Sequence, residues 1–130
     1  MRVTARMTYG LDALVDLAAA GAPVKGEVLA GRHRVSVGFL ENILAELRRA
    51  GLVQSKRGGQ GGYWLARPAD EITVADVIRT LDGAGPVESS MPPDELLPVW
   101  HTINEATMIA AGSFTLASMV RDRGALPPRS

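Results

Sequence analysis

Residues 55–67, SKRGGQGGYWLAR, set four glycines around Gln60, with Lys56 and Arg57 before them and Tyr63, Trp64 and Arg67 after. Glycine lets a main chain approach closely, and its N–H groups can meet phosphate oxygens. Such a run can cradle a nucleotide inside an enzyme or reach a phosphate on a nucleic acid. A Walker A loop ends in Gly-Lys-Ser/Thr and opens a helix. A dinucleotide fingerprint needs Gly-x-Gly-x-x-Gly between a strand and a helix. Here the cations precede the glycines, and the glycines lead into the strand-like run YWLA. That context disfavours a small nucleotide-binding enzyme. It suits a flexible turn whose Lys56, Arg57, Gly58 and Gly59 touch a phosphate backbone or a minor groove. A contact-free hairpin would use the same glycines, so the preceding segment has to decide.

That segment is SVGFLENILAELRR, residues 36–49. Leu40, Ile43, Leu44 and Leu47 recur at helical spacing and form one apolar face. The opposite face then carries Glu41, Asn42, Ala45, Arg48 and Arg49. Ser36 and Gly38 lie at its start, the end of a recognition helix that enters a major groove. Glu can accept from cytosine N4, and Asn can pair with adenine. Arg48 and Arg49 lie further along, where phosphate is the natural partner.

The remaining reactive side chains are sparse. His33 and His101 are the only histidines and there is no cysteine, so a soft metal site is not expected. His33, beside Arg32 and Arg34, reads as solvated or backbone-contacting. His101 follows Trp100, and both read as packed or interface residues. Asp94 and Glu95 suit a helix N-terminus better than an acid/base pair. No catalytic residue, metal or cofactor is expected.

Several elements must hold these residues in place. A first helix runs from about Thr4 to Ala20, with Met7, Leu11, Leu14, Val15 and Ala18 on one face. A second offers Val24, Val28 and Leu29 as a buried stripe, and Gly26 and Gly31 weaken it by about 1 kcal/mol each. The third, capped by Ser36, stops at Gly51. Leu52–Ser55 and Tyr63–Ala66 flank the glycines as a hairpin. A fourth helix opens with Thr73 and Asp76 as a capping box, and Val74, Val77, Ile78 and Leu81 form its stripe. Residues 83–93, rich in Gly and Pro, read as a linker loop. A further helix begins at Asp94 or Leu97, with Pro98 in its first turn, and ends near Ala111. Trp100, Ile103, Thr107 and Ala110 lie along one side of it. A short helix, Leu116–Val120, comes last. Two helices joined by a short turn, then a hairpin, form a winged helix-turn-helix. The fold class is mainly α, with a short β-hairpin wing and a C-terminal helical dimerisation arm. The expected division is 1–82 for DNA binding, 83–93 for the linker, 94–122 for the dimerisation helices and 123–130 for a frayed tail.

Zero net charge over 130 residues conceals an asymmetry. Residues 1–67 carry ten Lys/Arg against five acids, and residues 68–130 carry four against nine. A basic half can bind a polyanion inside a neutral chain. There is no run of about 20 apolar residues and no signal-peptide pattern, so no membrane role is expected and the cytoplasm is the expected compartment.

At this point the sequence resembles the Rrf2 family of bacterial winged-helix transcription regulators. The resemblance rests on MRVTARMTYGLDALVDLA, SVGFLENILAELRRAGLV, SKRGGQGGYWLAR, ITVADVIRTLDG and W…FTLASMV, from Met1 to about Val120. It implies a DNA-binding homodimer that represses or activates promoters, repression being the expected sign, with the helix near Trp100 at the dimer interface; two-fold symmetry then calls for an inverted-repeat operator. It implies base reading by the start of the recognition helix and by a wing arginine, which map to Glu41, Asn42 and Arg57. Control mainly through a protein partner is the alternative, and a small-molecule effector also remains open. Three departures stand out. Many members carry three cysteines before the dimerisation helix that hold an iron–sulfur cluster, and this chain has none. Arg34 occupies the turn where glycine is usual, and Gly59 stands where proline is common.

Overall fold

The computed structural model describes residues 3–82 and 96–123. Six helices and one hairpin follow in order: α1 (Ala5–Ala20), α2 (Gly26–His33), α3 (Val37–Arg49), β1 (Val53–Lys56), β2 (Gly62–Leu65), a 3-10 turn (Ala69–Glu71), α4 (Val74–Leu81), α5 (Leu97–Gly112) and α6 (Leu116–Arg123). The 83–93 linker, the carboxylates of Asp94 and Glu95, and the tail beyond Arg123 lie outside the described residues.

The helix starts follow the local chemistry. Thr4 accepts from the Met7 N–H at 3.2 Å, and Ser36 accepts from the Phe39 N–H at 3.1 Å. Thr73 and Asp76 complete a reciprocal capping box. Each contact satisfies an N–H that the helix itself leaves unpaired. Pro98 sits in the first turn of α5. The α3 stripe is fully buried, with Leu40, Ile43, Leu44 and Leu47 at 0% exposure. It packs against α1, α2, α4 and β1, around a core that also takes in Leu14, Leu29, Ile72 and Leu81. Leu116 of α6 is equally buried, and α6 lies against α1. No helix among the described residues is long and apolar enough to cross a membrane.

β1 and β2 pair antiparallel, with Val53 opposite Leu65, Gln54 opposite Trp64, Ser55 opposite Tyr63 and Lys56 opposite Gly62. Side chains alternate across a strand. Val53, Ser55, Tyr63 and Leu65 therefore share one face, and Gln54, Lys56 and Trp64 the other.

Two expectations need correction. In the second helix, Leu29 is buried but Val28 is 48% exposed. The helix starts only at Gly26, so its buried face runs Gly26, Leu29, Ala30. Val24 lies before it and exchanges backbone hydrogen bonds with Tyr63, at 3.0 and 2.8 Å. His33 is neither solvated nor bonded only to backbone. Its Nε2 lies 2.6 Å from Asp16 Oδ2, with both side chains almost fully buried, and Tyr9 meets the ring edge-on. Asp16 falls within the buried face of α1, and a buried carboxylate needs a partner. That requirement draws the end of α2 onto α1.

Candidate nucleic-acid interface

The junction between α2 and α3 fixes the angle of the helix pair. Arg34 takes left-handed angles, φ 55° and ψ 43°. The Val35 N–H reaches the Ala30 carbonyl at 3.1 Å and the Arg34 N–H reaches Gly31 at 3.4 Å. These are the two closing bonds of a Schellman ending, which glycine usually supplies. Ser36 then caps α3, so the turn between the helices spans only Arg34 to Ser36.

On α3 the expected contact residues Ser36, Gly38, Glu41, Asn42, Arg48 and Arg49 are all exposed. A Cβ at Gly38 would meet nothing within 4 Å, so packing does not require glycine there, and the first turn presents a low profile. Glu41 and Asn42 each have a partner within the chain. Asn42 Oδ1 accepts from Arg6 at 3.0 Å, and the same arginine pairs with Glu46 at 2.6 Å. Glu41 accepts a hydrogen bond from the Tyr63 hydroxyl. Burial first, and the Glu41 carboxylate second, push the Tyr63 pKa above its ordinary value, so the phenol remains a donor. Arg6 and Tyr63 were not among the expected site residues. Both lie far from α3 in sequence, so helical periodicity carries no signal for them.

The glycine run divides into two functions. A Cβ at Gly61 would overlap the Lys56 carbonyl, and one at Gly62, with φ 138°, would lie 2.8 Å from the Val24 carbonyl. Gly61 lets the hairpin turn close on itself, and Gly62 lets the hairpin close against the chain before α2. Gly58 and Gly59 are exposed, with nothing within 4 Å of a Cβ. Only this outer pair is open to a ligand. Lys25, the residue before α2, donates its Nζ to the Gly58 carbonyl, which ties the wing tip to the helix pair. Lys56 and Arg57 are exposed. Lys56 is on the hairpin face away from Tyr63, and Arg57 begins the turn.

The surface is electrostatically one-sided. Arg32, Arg34, Arg48, Arg49, Lys56 and Arg57 are exposed along α2, α3 and the wing. Of the acids on the same elements, Glu46 is matched by Arg6, Glu41 is bonded by Tyr63, and Glu27 is exposed in the first turn of α2. A row of cations that outnumbers these acids is the footprint of a polyanion site.

α5 stands apart from this surface. It packs on α4, yet Ala111 is its only fully buried residue. Leu96, just before the helix, and Val99, Trp100 and Ile103 on it are exposed. Ala110 is exposed too, and Thr107 is half-buried.

The Rrf2 family model, described as "Iron-dependent Transcriptional regulator", matches residues 3–122. Rv1287 of Mycobacterium tuberculosis H37Rv, assigned among the HTH-type transcriptional regulators, is 38% identical over 98% of this chain and 84% of its own length. The solved structure of T. potens IscR superposes with a TM-score of 0.80 at 36% identity, covering 100% of this chain and 94% of that one. CymR of B. subtilis, described as a global cysteine regulator, gives 0.79 at 30% identity, covering 93% and 97%. The helix pair, the wing and the basic surface agree with these matches, and the chain belongs to the Rrf2 family of DNA-binding transcription regulators.

Proposed function

We propose that this regulator is a homodimeric repressor that reads an inverted-repeat operator in the cytoplasm and carries no iron–sulfur cluster. The observation that carries the reading is the exposed α3 face beside a cationic wing. Residues 1–82 would form the DNA-binding unit, with residues 94–122 as the dimerisation helices. The start of α3 would enter the major groove, with Glu41 and Asn42 at base edges. Arg48, Arg49 and Lys56 would meet phosphates, and Arg57 a base or the minor groove. Arg6 would release or share Asn42 on binding, which makes it a positioning residue for base recognition. The apolar row on α5, Trp100, Ile103, Thr107 and Ala110, supports a dimer. A helix that buries so little of itself is not stable alone, and a second copy would cover it with two-fold symmetry. Two-fold symmetry in the protein calls for half-sites spaced by whole turns of DNA.

Family membership raises the question of iron. Iron–sulfur clusters are held chiefly by cysteine thiolates, and this chain has none. Among the described residues no group of three or more His, Asp or Glu is placed to hold a metal. The donor set does not fit a cluster.

The test is a footprint of the purified protein on the DNA upstream of its own gene, with sedimentation in parallel. A dimer protecting an inverted repeat, with affinity falling steeply as salt rises, is expected. A monomer at micromolar concentration, or binding insensitive to salt, would refute the reading.

A further inference from the structure

The hairpin face turned away from α3 borders an open cavity of about 540 Å³. That volume lies within the range of small-molecule sites, about 300–1,000 Å³. Leu17 at the end of α1 and Pro68 after β2 supply apolar wall, Trp64 supplies a half-buried indole, and Lys56, Gln60 and Arg67 supply polar groups. None of the lining residues is acidic. Lys56 has no acidic partner among the described residues. Arg67 reaches Asp76 at 3.3 Å, but Asp76 also pairs with Arg79 at 3.1 Å and caps α4 through the Thr73 N–H. One carboxylate thus serves two guanidiniums and a helix cap, which leaves positive charge at the cavity unmatched.

We propose that this cavity binds a small organic carboxylate with a flat apolar body, which takes Lys56 away from DNA. The ring lies against Trp64, Leu17 and Pro68, where an aromatic face and aliphatic walls favour a planar group. The carboxylate accepts from Lys56 and Arg67, as charge-assisted hydrogen bonds require. Lys56 and Gln60 belong to the wing, so an occupied cavity and a phosphate compete for the same lysine. The binding half of the proposal stands without the DNA reading, and the competition half rests on it.

The probes are benzoate and 2-naphthoate, with 2-naphthamide as the uncharged control. The full chain is labelled with nitrogen-15, and the two tryptophan indole N–H signals are assigned with Trp100→Phe. The carboxylates should shift the Trp64 signal saturably and leave Trp100 in place. Lys56→Gln should weaken 2-naphthoate binding about tenfold, the loss of one charge-assisted contact. An unmoved Trp64 signal at the solubility limit of both probes would overturn the proposal, as would equal binding of the amide. In a second arm, 2-naphthoate should weaken binding to the footprinted operator. Unchanged operator affinity with a saturated cavity would overturn the competition. Failure to bind any operator without probe would instead count against the DNA reading, leaving the Trp64 result to stand.

Discussion

Arg34 holds a conformation that side chains resist. At φ 55° its Cβ crowds the following carbonyl, at a cost of about 1 kcal/mol or more. The Schellman bonds around it hold the turn in place. Arg34→Gly should therefore raise stability by about 0.5–1 kcal/mol, after allowing for the extra freedom glycine has when unfolded. Urea unfolding would measure this, and a less stable variant would contradict it. Arg57 presents the opposite case, an exposed side chain with nothing to hold in the fold. Arg57→Ala should leave unfolding unchanged and weaken operator binding by about 1–3 kcal/mol. Equal operator affinity in a folded variant would remove Arg57 from the interface. Exposure of Glu41, Asn42 and Arg57 was legible from helical period and loop composition. Their intramolecular partners were not, because the Arg6–Asn42 contact joins α1 to α3 and the Tyr63–Glu41 bond joins the wing to α3. Such contacts exist only once the elements pack. The buried contact of His33 with Asp16 was hidden for the same reason, although an aspartate inside the apolar face of α1 was its one local sign.

The elements themselves were largely readable. Caps at Thr4, Ser36 and Thr73 use short-range chemistry, and the α3 stripe has the pattern of a buried helix face. The second helix was harder. Eight residues give barely two turns, and two glycines at Gly26 and Gly31 blur the period, so Val28 was placed inside when it faces out. The glycine run looked like one feature because all four residues are identical in sequence. Tertiary contact separates them, with Gly61 and Gly62 confined by backbone and Gly58 and Gly59 open. α5 has the clearest unmet need of any element. Ile103 is 47% exposed in the middle of its apolar row, and in a two-fold helix pair it would lie near its own copy. Ile103→Asp should then set like charges facing each other across an apolar seam, where unpaired charge is costly. Sedimentation should show a monomer and operator binding should be lost, while the core built on α1, α3 and α4 still unfolds cooperatively and the circular dichroism loses at most the share of α5. A dimer that survives this change would place the interface elsewhere.

Over the whole molecule, the basic surface and the α5 row lie on different elements, and any link between them has to work without thiolates. The family description names iron, yet the chain contains no cysteine. His33 is committed to Asp16 inside the fold, and His101 lies on α5. Glu88, Asp94 and Glu95 lie outside the described residues, and as carboxylates they offer hard oxygen, which suits Mg or Ca better than an iron–sulfur centre. Such centres can exchange one or two thiolates for other ligands, but they are not built without any. Protein purified without oxygen should therefore be colourless and contain no stoichiometric iron or sulfide. Its footprint on the operator should be the same with and without air, since no cluster is present to be oxidised or lost. A visible absorption band with matching iron and sulfide would overturn this. So would an operator affinity that falls on exposure to oxygen and returns when iron and sulfide are supplied, because that recovery would require a cluster site made from the ligands this chain does have.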